Sequence, residues 1–338
     1  MDKEDFRNRF RDTVDDAENI VITSHKGPDD DSVGSVLAMK FLLEDMGHDC
    51  NAVYESNASD RWESFEGFDD LYFVNDIRKY VEKADVLIVL DANHIDRVIE
   101  EYEEVDVTGE VICIDHHERV EGSFEGYIDK ERASTCDMLY ELFFRNRSMD
   151  DAIGEALLLG ILGDTGNFRY ISPDNTEVMV YASEIIEKCR IHVEEFKNRY
   201  NVTEIESFEL YRKIIENSEI YDLDGVPRFI CTYLDEEDVD GYDDTFVSNA
   251  SHMFVGFTKG LEDVGWNFAL SQRSNDLIAV SFRSIPGSVN VQKLAEGLGV
   301  GGGHENAAGG RFEDVSAQEA LSQILEYVKE EGVELQET

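Results

Sequence analysis

Four short apolar runs constrain this chain more than any other feature. Asn19–Ser24 (NIVITS), Cys50–Tyr54, Ala84–Leu90 (ADVLIVL) and Glu110–Ile114 (EVICI) are too short for helices and too uniformly apolar for half-exposed strands. Each reads as a strand buried on both faces. Between them lie segments such as Val33–Met46, whose apolar residues recur at helical spacing. That rhythm predicts a parallel sheet covered by helices. Helical pattern returns over Ala152–Gly163 and, after Ser172-Pro173-Asp174, continues over roughly 176–217, long and charged enough to connect two domains.

Beyond Ser218 the character changes. Val226–Leu234, Gly265–Arg273 and Leu277–Arg283 read as strands, the last two joined by a hairpin-like turn at Ser274-Asn275-Asp276. Val289–Leu298 and Ala317–Tyr327 read as helices. The expected architecture is therefore α/β: a parallel-sheet domain over 1–185, a helical connector over 186–217 and a smaller α+β domain over 218–338. Two domains also suit a length of 338 residues.

Charge narrows the function. The sequence holds 75 acidic against 30 basic residues, a formal charge of -45, yet keeps 42% hydrophobic residues in periodic segments. This is the composition of a folded protein with an acidic skin, suited to a salt-rich cytosol where screening shortens the repulsion. Long nucleic acid is an unsuitable partner, because binding its backbone needs clustered Lys and Arg, and no such cluster is present. The expected partner is a small anion or a short oligonucleotide, with no membrane partner and a monomeric or homodimeric state. Five scattered cysteines without a C-x-x-C pair fit neither a disulfide framework nor a zinc knuckle. No apolar stretch approaches the roughly 18 residues that span a bilayer. The opening Met1-Asp2-Lys3-Glu4 lacks the basic and apolar regions of a signal peptide, so a cytoplasmic location is expected.

Potential metal ligands gather where open α/β sheets place their active sites, after the carboxyl ends of strands. His25, Asp29 and Asp31 follow the first strand on a turn containing Gly27 and Pro28; the same acids would also serve as ordinary caps of the next helix. Asp91 follows ADVLIVL, with Ala92, Asn93 and His94 behind it, and is weak alone. Asp115, His116 and His117 follow EVICI; a solvated loop is the plain alternative to a site. Asp164 ends an apolar helical run, where a helix stop at Gly166 is the plain alternative. Together His25, Asp29, Asp31, Asp91, His116 and Asp164 offer two imidazoles and four carboxylates. That donor set suits Mn²⁺, with Mg²⁺ or Co²⁺ as alternatives, better than structural zinc. A shared carboxylate would hold two such cations about 3.5 to 4 Å apart, a clamp for in-line displacement at phosphorus.

Near the other end, Gly301-Gly302-Gly303-His304 begins a glycine-rich run to Gly310. Glycines free backbone N–H groups to turn toward an anion and His304 adds a donor, although a flexible turn before a final strand also accounts for them. Arg283 and Ser284, closing a strand, are a cation and hydroxyl pair suited to a terminal phosphate, or else a plain surface arginine with its neighbour.

The succession H-x-x-x-D-x-D-x-x-G-S from His25 to Ser35, Asp91, Asp115-His116-His117 and G-I-x-x-D-T-G-x-F from Gly160 to Phe168 resembles the DHH phosphoesterase superfamily, and the glycine run resembles the GGGH signature of its first type of associated domain. Both occur in the right order across nearly the whole chain, and the pairing is similar to the branch of nanoRNases and pAp phosphatases that includes hydrolases of cyclic di-AMP or pApA. The resemblance implies an active site in the cleft between the domains. It implies one cation on His25, Asp29 and Asp91 and a second on Asp31, Asp91, His116 and Asp164, with Asp91 bridging. It also implies that His117 contacts the scissile phosphate and assists the leaving oxygen, and that Asp115 orients the histidine pair. The residues read above as anion-binding, Arg283, Ser284, Gly301, Gly302, Gly303 and His304, would be the substrate contacts of the second domain. Asp30 adds an acid inside the first motif and would alter metal preference. The implied reaction is hydrolysis of short oligoribonucleotides, pAp, pApA or cyclic di-AMP. The rivals are an inorganic pyrophosphatase or exopolyphosphatase, against which the glycine run argues, a single-strand-specific exonuclease, and a non-hydrolysing nucleotide sensor.

Overall fold

A computed structural model describes residues 2–57, 60–200, 205–273 and 277–336. The chain divides into two compact units, Met1–Val202 and Thr203–Thr338.

The first unit runs α1 (Lys3–Asp15), β1 (Ile20–Thr23), α2 (Asp30–Met46), β2 (Cys50–Glu55), β3 (Leu71–Val74), α3 (Arg78–Val81), β4 (Val86–Leu90), α4 (Ile95–Val98), β5 (Glu110–Asp115), β6 (Gly126–Ile128), α5 (Thr135–Leu139), α6 (Asp151–Asp164), α7 (Glu177–Lys188) and α8 (Val193–Tyr200). The sheet order is β3-β2-β1-β4-β5-β6. Every pairing is parallel, with Ile22 opposite both Ala52 and Ile88. All four strands read from the sequence are present, and β4 is buried at every residue, as a central parallel strand must be. Because β1 connects to β2 on one side while β4 lies on its other side, the order reverses between β1 and β4, and the crevice of such a sheet opens at their carboxyl ends.

Two helices close over that crevice. Asp29 caps α2, its carboxylate accepting from the amides of Asp31 at 3.1 Å and Ser32 at 3.0 Å. Helix α2 is buried along most of its length, and α6 packs against it closely enough that small residues are obligatory. A Cβ on Gly34 would lie 2.3 Å from the Ala156 carbonyl oxygen, and one on Gly160 would lie 2.4 Å from Asp31 Oδ1. The interhelical contact thus brings the acidic start of α2 against the end of α6.

The second unit contains α9 (Ile205–Glu216), β7 (Glu219–Tyr221), β8 (Phe229–Leu234), α10 (Glu236–Val239), α11 (Asp244–Thr258), β9 (Trp266–Gln272), β10 (Ile278–Ser284), α12 (Val291–Gly297), β11 (Gly301–His304), β12 (Ala307–Phe312) and α13 (Ala317–Glu330). Its sheet, β11-β12-β10-β9-β8-β7, is mixed, with only β8 and β9 parallel. An aromatic row of Phe229, Trp266, Phe268 and Phe282 fills its core. β9 and β10 pair antiparallel as expected; the turn read at Ser274-Asn275-Asp276 lies outside the described residues.

One expectation needs correction. The continuous helical pattern over 176–217 is three helices, because the helix ends at Lys188 and the chain turns through a left-handed Arg190 before α8. Phe196 of α8 packs in the first unit's core, whereas Leu210 and Ile214 of α9 pack in the second's. The plain alternative for the glycine run, a flexible turn, does not hold: Gly301–His304 is strand β11, paired antiparallel with β12 at the sheet's edge.

Candidate metal centre

Three strand ends and one helix end converge. Immediately after β1, His25 presents Nε2 3.6 Å from Asp29 Oδ2 and 3.3 Å from Asp91 Oδ2. Asp91 follows β4 in a left-handed conformation with φ 54°, a region that aspartate enters more readily than most residues other than glycine. Its carboxylate is 1% exposed, and Oδ1 accepts from Thr135 Oγ1 at 3.2 Å. Asp31, in the first turn of α2, is fully buried and accepts from the backbone amides of Thr135 at 2.6 Å and Cys136 at 3.0 Å. The amino end of α5 therefore holds both Asp31 and Asp91. No residue pattern announces that role, since two of the three donors are backbone N–H groups.

His116 Nε2 lies 2.9 Å from Asp164 Oδ2, 3.4 Å from Asp91 Oδ1 and 4.0 Å from Asp31 Oδ2. It is nonetheless buried without a hydrogen bond in acceptable geometry to any of them. A ring nitrogen facing three carboxylates, aligned with none, is what a cation-binding cradle looks like. One candidate atom from each of Asp31, Asp91, His116 and Asp164 falls within 4.8 Å of the others, as it does for His25, Asp29 and Asp91 and for Asp91, His116 and His117, and Asp91 belongs to all three groups. The donors are oxygen and imidazole nitrogen only. Cys136 stands beside Asp31, but its Sγ faces the backbone carbonyls of Asp31 at 3.8 Å and Ala156 at 3.9 Å and joins none of these groups; burial and the Asp31 charge push its thiol well above the usual range.

The electrostatics agree with this fit. Burial disfavours charging His25, yet Asp29 and Asp91 outweigh it and lift the imidazole to about 10. Burial likewise opposes charging His116, and Asp164 and Asp91 overcome it, raising the ring to about 12. Burial, reinforced by the Asp91 and Asp164 charges, pushes the Asp31 carboxyl well above the ordinary range. Asp91, though buried, is held below that range by His116 and His25. Four carboxylates this close require positive charge among them, supplied by protons when no cation is bound.

His117 is placed differently. Its Nδ1 donates to Asp115 Oδ1 at 2.7 Å, its distance to Asp91 Oδ1 is 3.6 Å, and its side chain is 37% exposed. Asp115 orients this ring alone; His116 Nδ1 instead faces the Arg132 carbonyl at 3.4 Å, which corrects the expectation that Asp115 orients both histidines. Asp30 also departs from expectation. Its carboxylate accepts from Arg61 at 2.7 Å and from the Trp62 indole at 2.8 Å, turned away from the cluster and compensated, so it adds no free charge there. His94 caps α4 and takes no part in the cluster.

In the second unit, Gly301, Gly302, Gly303 and His304 line the β11 edge, and Arg283 lies half-buried on β10. Ser284 cannot act with Arg283 on one phosphate. Successive strand residues face opposite sides, and the buried Ser284 hydroxyl donates to the Ile285 carbonyl and accepts from Gln336. An open groove of about 720 Å³ beside β11 is lined by Gly301, Gly310, Arg273 and Arg311 among others. Neither arginine was singled out by the sequence, because they are far apart along the chain.

Comparison with known proteins bears on this geometry. The model for the DHH family, N-terminal domain, matches residues 19–161, and that for the DHHA1 domain matches residues 249–331. The chain is 28% identical over 318 residues to the bifunctional oligoribonuclease and PAP phosphatase NrnA of Thermus thermophilus, covering 92% of this chain and 90% of that protein. It is 26% identical over 341 residues to the cyclic-di-AMP phosphodiesterase PdeA of Listeria monocytogenes and 23% identical over 343 residues to GdpP of Bacillus subtilis. The chain spans about half the length of these two phosphodiesterases, 48% and 49%. Among solved structures, an exopolyphosphatase-related protein from Bacteroides fragilis matches with a TM-score of 0.81 at 25% identity over 96% of this chain and 97% of that one. Manganese-bound exonuclease RecJ, at 15% identity and a TM-score of 0.53 over 97% of this chain and 94% of that one, shares the fold. With a DHH N-terminal domain followed by a DHHA1 domain, and the histidine and aspartate cluster at the switch point of its sheet, the chain belongs to the DHH phosphoesterase family.

Proposed function

We propose that this protein hydrolyses phosphoester bonds in short oligoribonucleotides and in small nucleotides such as pAp, pApA or cyclic di-AMP, using two divalent cations, Mn²⁺ foremost. The observation that carries hydrolysis is the buried His116 Nε2 facing Asp31, Asp91 and Asp164, contiguous through Asp91 with His25 and Asp29. His25, Asp29 and Asp91 would hold one cation, and Asp31, Asp91, His116 and Asp164 the other. The cations supply Lewis acidity that activates water and offsets the charge developing on phosphorus. Asp115 accepts from Nδ1–H of His117, so that in the doubly protonated ring Nε2–H would pass its proton to the departing oxygen and leave the Nδ1–H tautomer behind. In the second unit, Gly301 to Gly303 and His304 on β11, Arg283 on β10, and Arg273 and Arg311 lining the groove beside β11 would be the residues that bind nucleotide phosphates.

The small-substrate reading is supported by the similarity along nearly the full length of an oligoribonuclease and PAP phosphatase. The charge of -45 supports it too, since a long strand would cross surface that repels phosphates. The same surface supports an origin in a salt-rich cytoplasm.

A substrate panel in Mn²⁺ and high salt tests the reading: pAp, pApA, cyclic di-AMP, RNA of two to twenty nucleotides, pyrophosphate and short single-stranded DNA. Catalytic efficiency is expected to be highest on two- to five-nucleotide RNA or the small nucleotides and to fall steeply with length. Pyrophosphate as the best substrate, or twenty-nucleotide RNA cleaved as fast as dinucleotide, would overturn it.

A further inference from the structure

Two residues beyond Asp91, Asn93 is 3% exposed and makes more polar contacts than a structural turn requires. Its Nδ2 lies 2.6 Å from Asp115 Oδ2, 3.3 Å from the His117 carbonyl oxygen and 3.2 Å from that of Glu118. Its Oδ1 accepts from Ser123 Oγ at 2.8 Å, and its backbone carbonyl accepts from the Phe124 amide at 2.7 Å. The amide orientation is fixed by chemistry: rotated by half a turn, its oxygen would face three oxygens and its nitrogen would face a hydroxyl already directed at it.

We infer that Asn93 is a positioning residue that sets His117 by fixing the carboxylate of Asp115. Asp115 is completely buried and has two oxygens to satisfy: Oδ1 takes the His117 ring N–H, and Oδ2 takes the Asn93 amide. With both occupied, the carboxylate cannot rotate, and His117 keeps its proton on Nδ1 and Nε2 directed elsewhere. The same amide grips the backbone of residues 117 and 118, so ring and main chain are located by one side chain. No other short side chain does this. Aspartate would set a second carboxylate against Asp115, serine offers one donor where three acceptors converge, and alanine leaves Asp115 Oδ2 buried with one donor removed.

The role of His117 at the leaving oxygen belongs to the function proposed above; the positioning of its ring does not depend on that role. The test is a double-mutant cycle with bis(p-nitrophenyl) phosphate and Mn²⁺, accompanied by metal analysis, melting temperature and ¹⁵N-histidine NMR of the metal-free protein. Asn93→Ala is expected to lower kcat about 10- to 100-fold with KM within a factor of about two and metal content unchanged. In a His117→Ala background the same substitution should cost nothing further. The His117 ring signals should move from a single Nδ1–H tautomer toward an averaged state in Asn93→Ala and partly recover in Asn93→Ser, which retains a donor. An equal loss in both backgrounds, or an unchanged tautomer in a folded Asn93→Ala protein, overturns the inference. Unimpaired turnover in His117→Ala alone would instead overturn the leaving-group role, leaving the NMR result to decide on Asn93.

Discussion

Asp31 and Gly160 are packed so closely that a single added methyl group would reach the carboxylate: a Cβ on Gly160 would stand 2.4 Å from Asp31 Oδ1 and 2.9 Å from its Cα. Alanine is the better helix former by about 1 kcal/mol, but overpacking of this kind costs about 1–3 kcal/mol. The neighbour here includes backbone and cannot yield easily, so the clash prevails. Gly160→Ala should lower the melting temperature by a few degrees and weaken Mn²⁺ binding at least tenfold, because Asp31 is displaced from the Thr135 and Cys136 amides. Calorimetric titration and thermal melting check both effects.

Acid should unlock the support beneath His116. Arg132, whose carbonyl faces that ring, is held by Asp137 at 2.7 Å and by Glu141, which also accepts from Lys3 at 2.5 Å. Burial opposes ionisation of Glu141, but Lys3 and Arg132 outweigh it and lower its pKa from 4.5 to about 2. A carboxyl depressed by folding stabilises fully above its unfolded value and loses that contribution as pH falls through the folded one. Melting curves should therefore show Glu141→Gln less stable than the wild type above pH 4.5, with the gap closing toward pH 2. A gap independent of pH would contradict this account of Glu141.

Salt should stabilise the fold. With 45 excess negative charges, repulsion between exposed carboxylates falls as the screening length shortens from about 10 Å at 0.1 M to about 3 Å at 1 M. The melting temperature should rise steadily from low to molar KCl, whereas a flat or falling trend would remove the salt-adapted reading.

The parallel sheet was legible because central strands must be apolar on both faces; β1 and β4 obey that rule at every residue, and β2 and β5 over their buried runs Ala52–Tyr54 and Ile112–Ile114. β3, β6 and β7 went unread. Two are three residues long, and all three border their sheets, where partial exposure dilutes the pattern. β11 was not read as a strand because glycine is a poor strand former. It is required there by close backbone approach, a Cβ on Gly301 lying 2.1 Å from the Gly309 carbonyl oxygen. The six ligand candidates could be read because carboxylates and imidazoles announce their chemistry. Thr135, Cys136 and Asn93 could not, since two contribute backbone amides and the third an amide whose partners are assembled only by the fold.

The most direct test of the account is manganese stoichiometry measured alongside hydrolysis of bis(p-nitrophenyl) phosphate, in the wild type and in Asp91→Ala. Asp91 touches both ligand groups, with Oδ2 3.3 Å from His25 Nε2 and Oδ1 3.4 Å from His116 Nε2. The wild type should bind two Mn²⁺ per chain and turn over. Asp91→Ala should remain folded, lose at least one ion and fall below a few per cent of wild-type turnover. Full activity in Asp91→Ala, or a wild type that works with a single ion, would contradict a centre built on two cations sharing one aspartate.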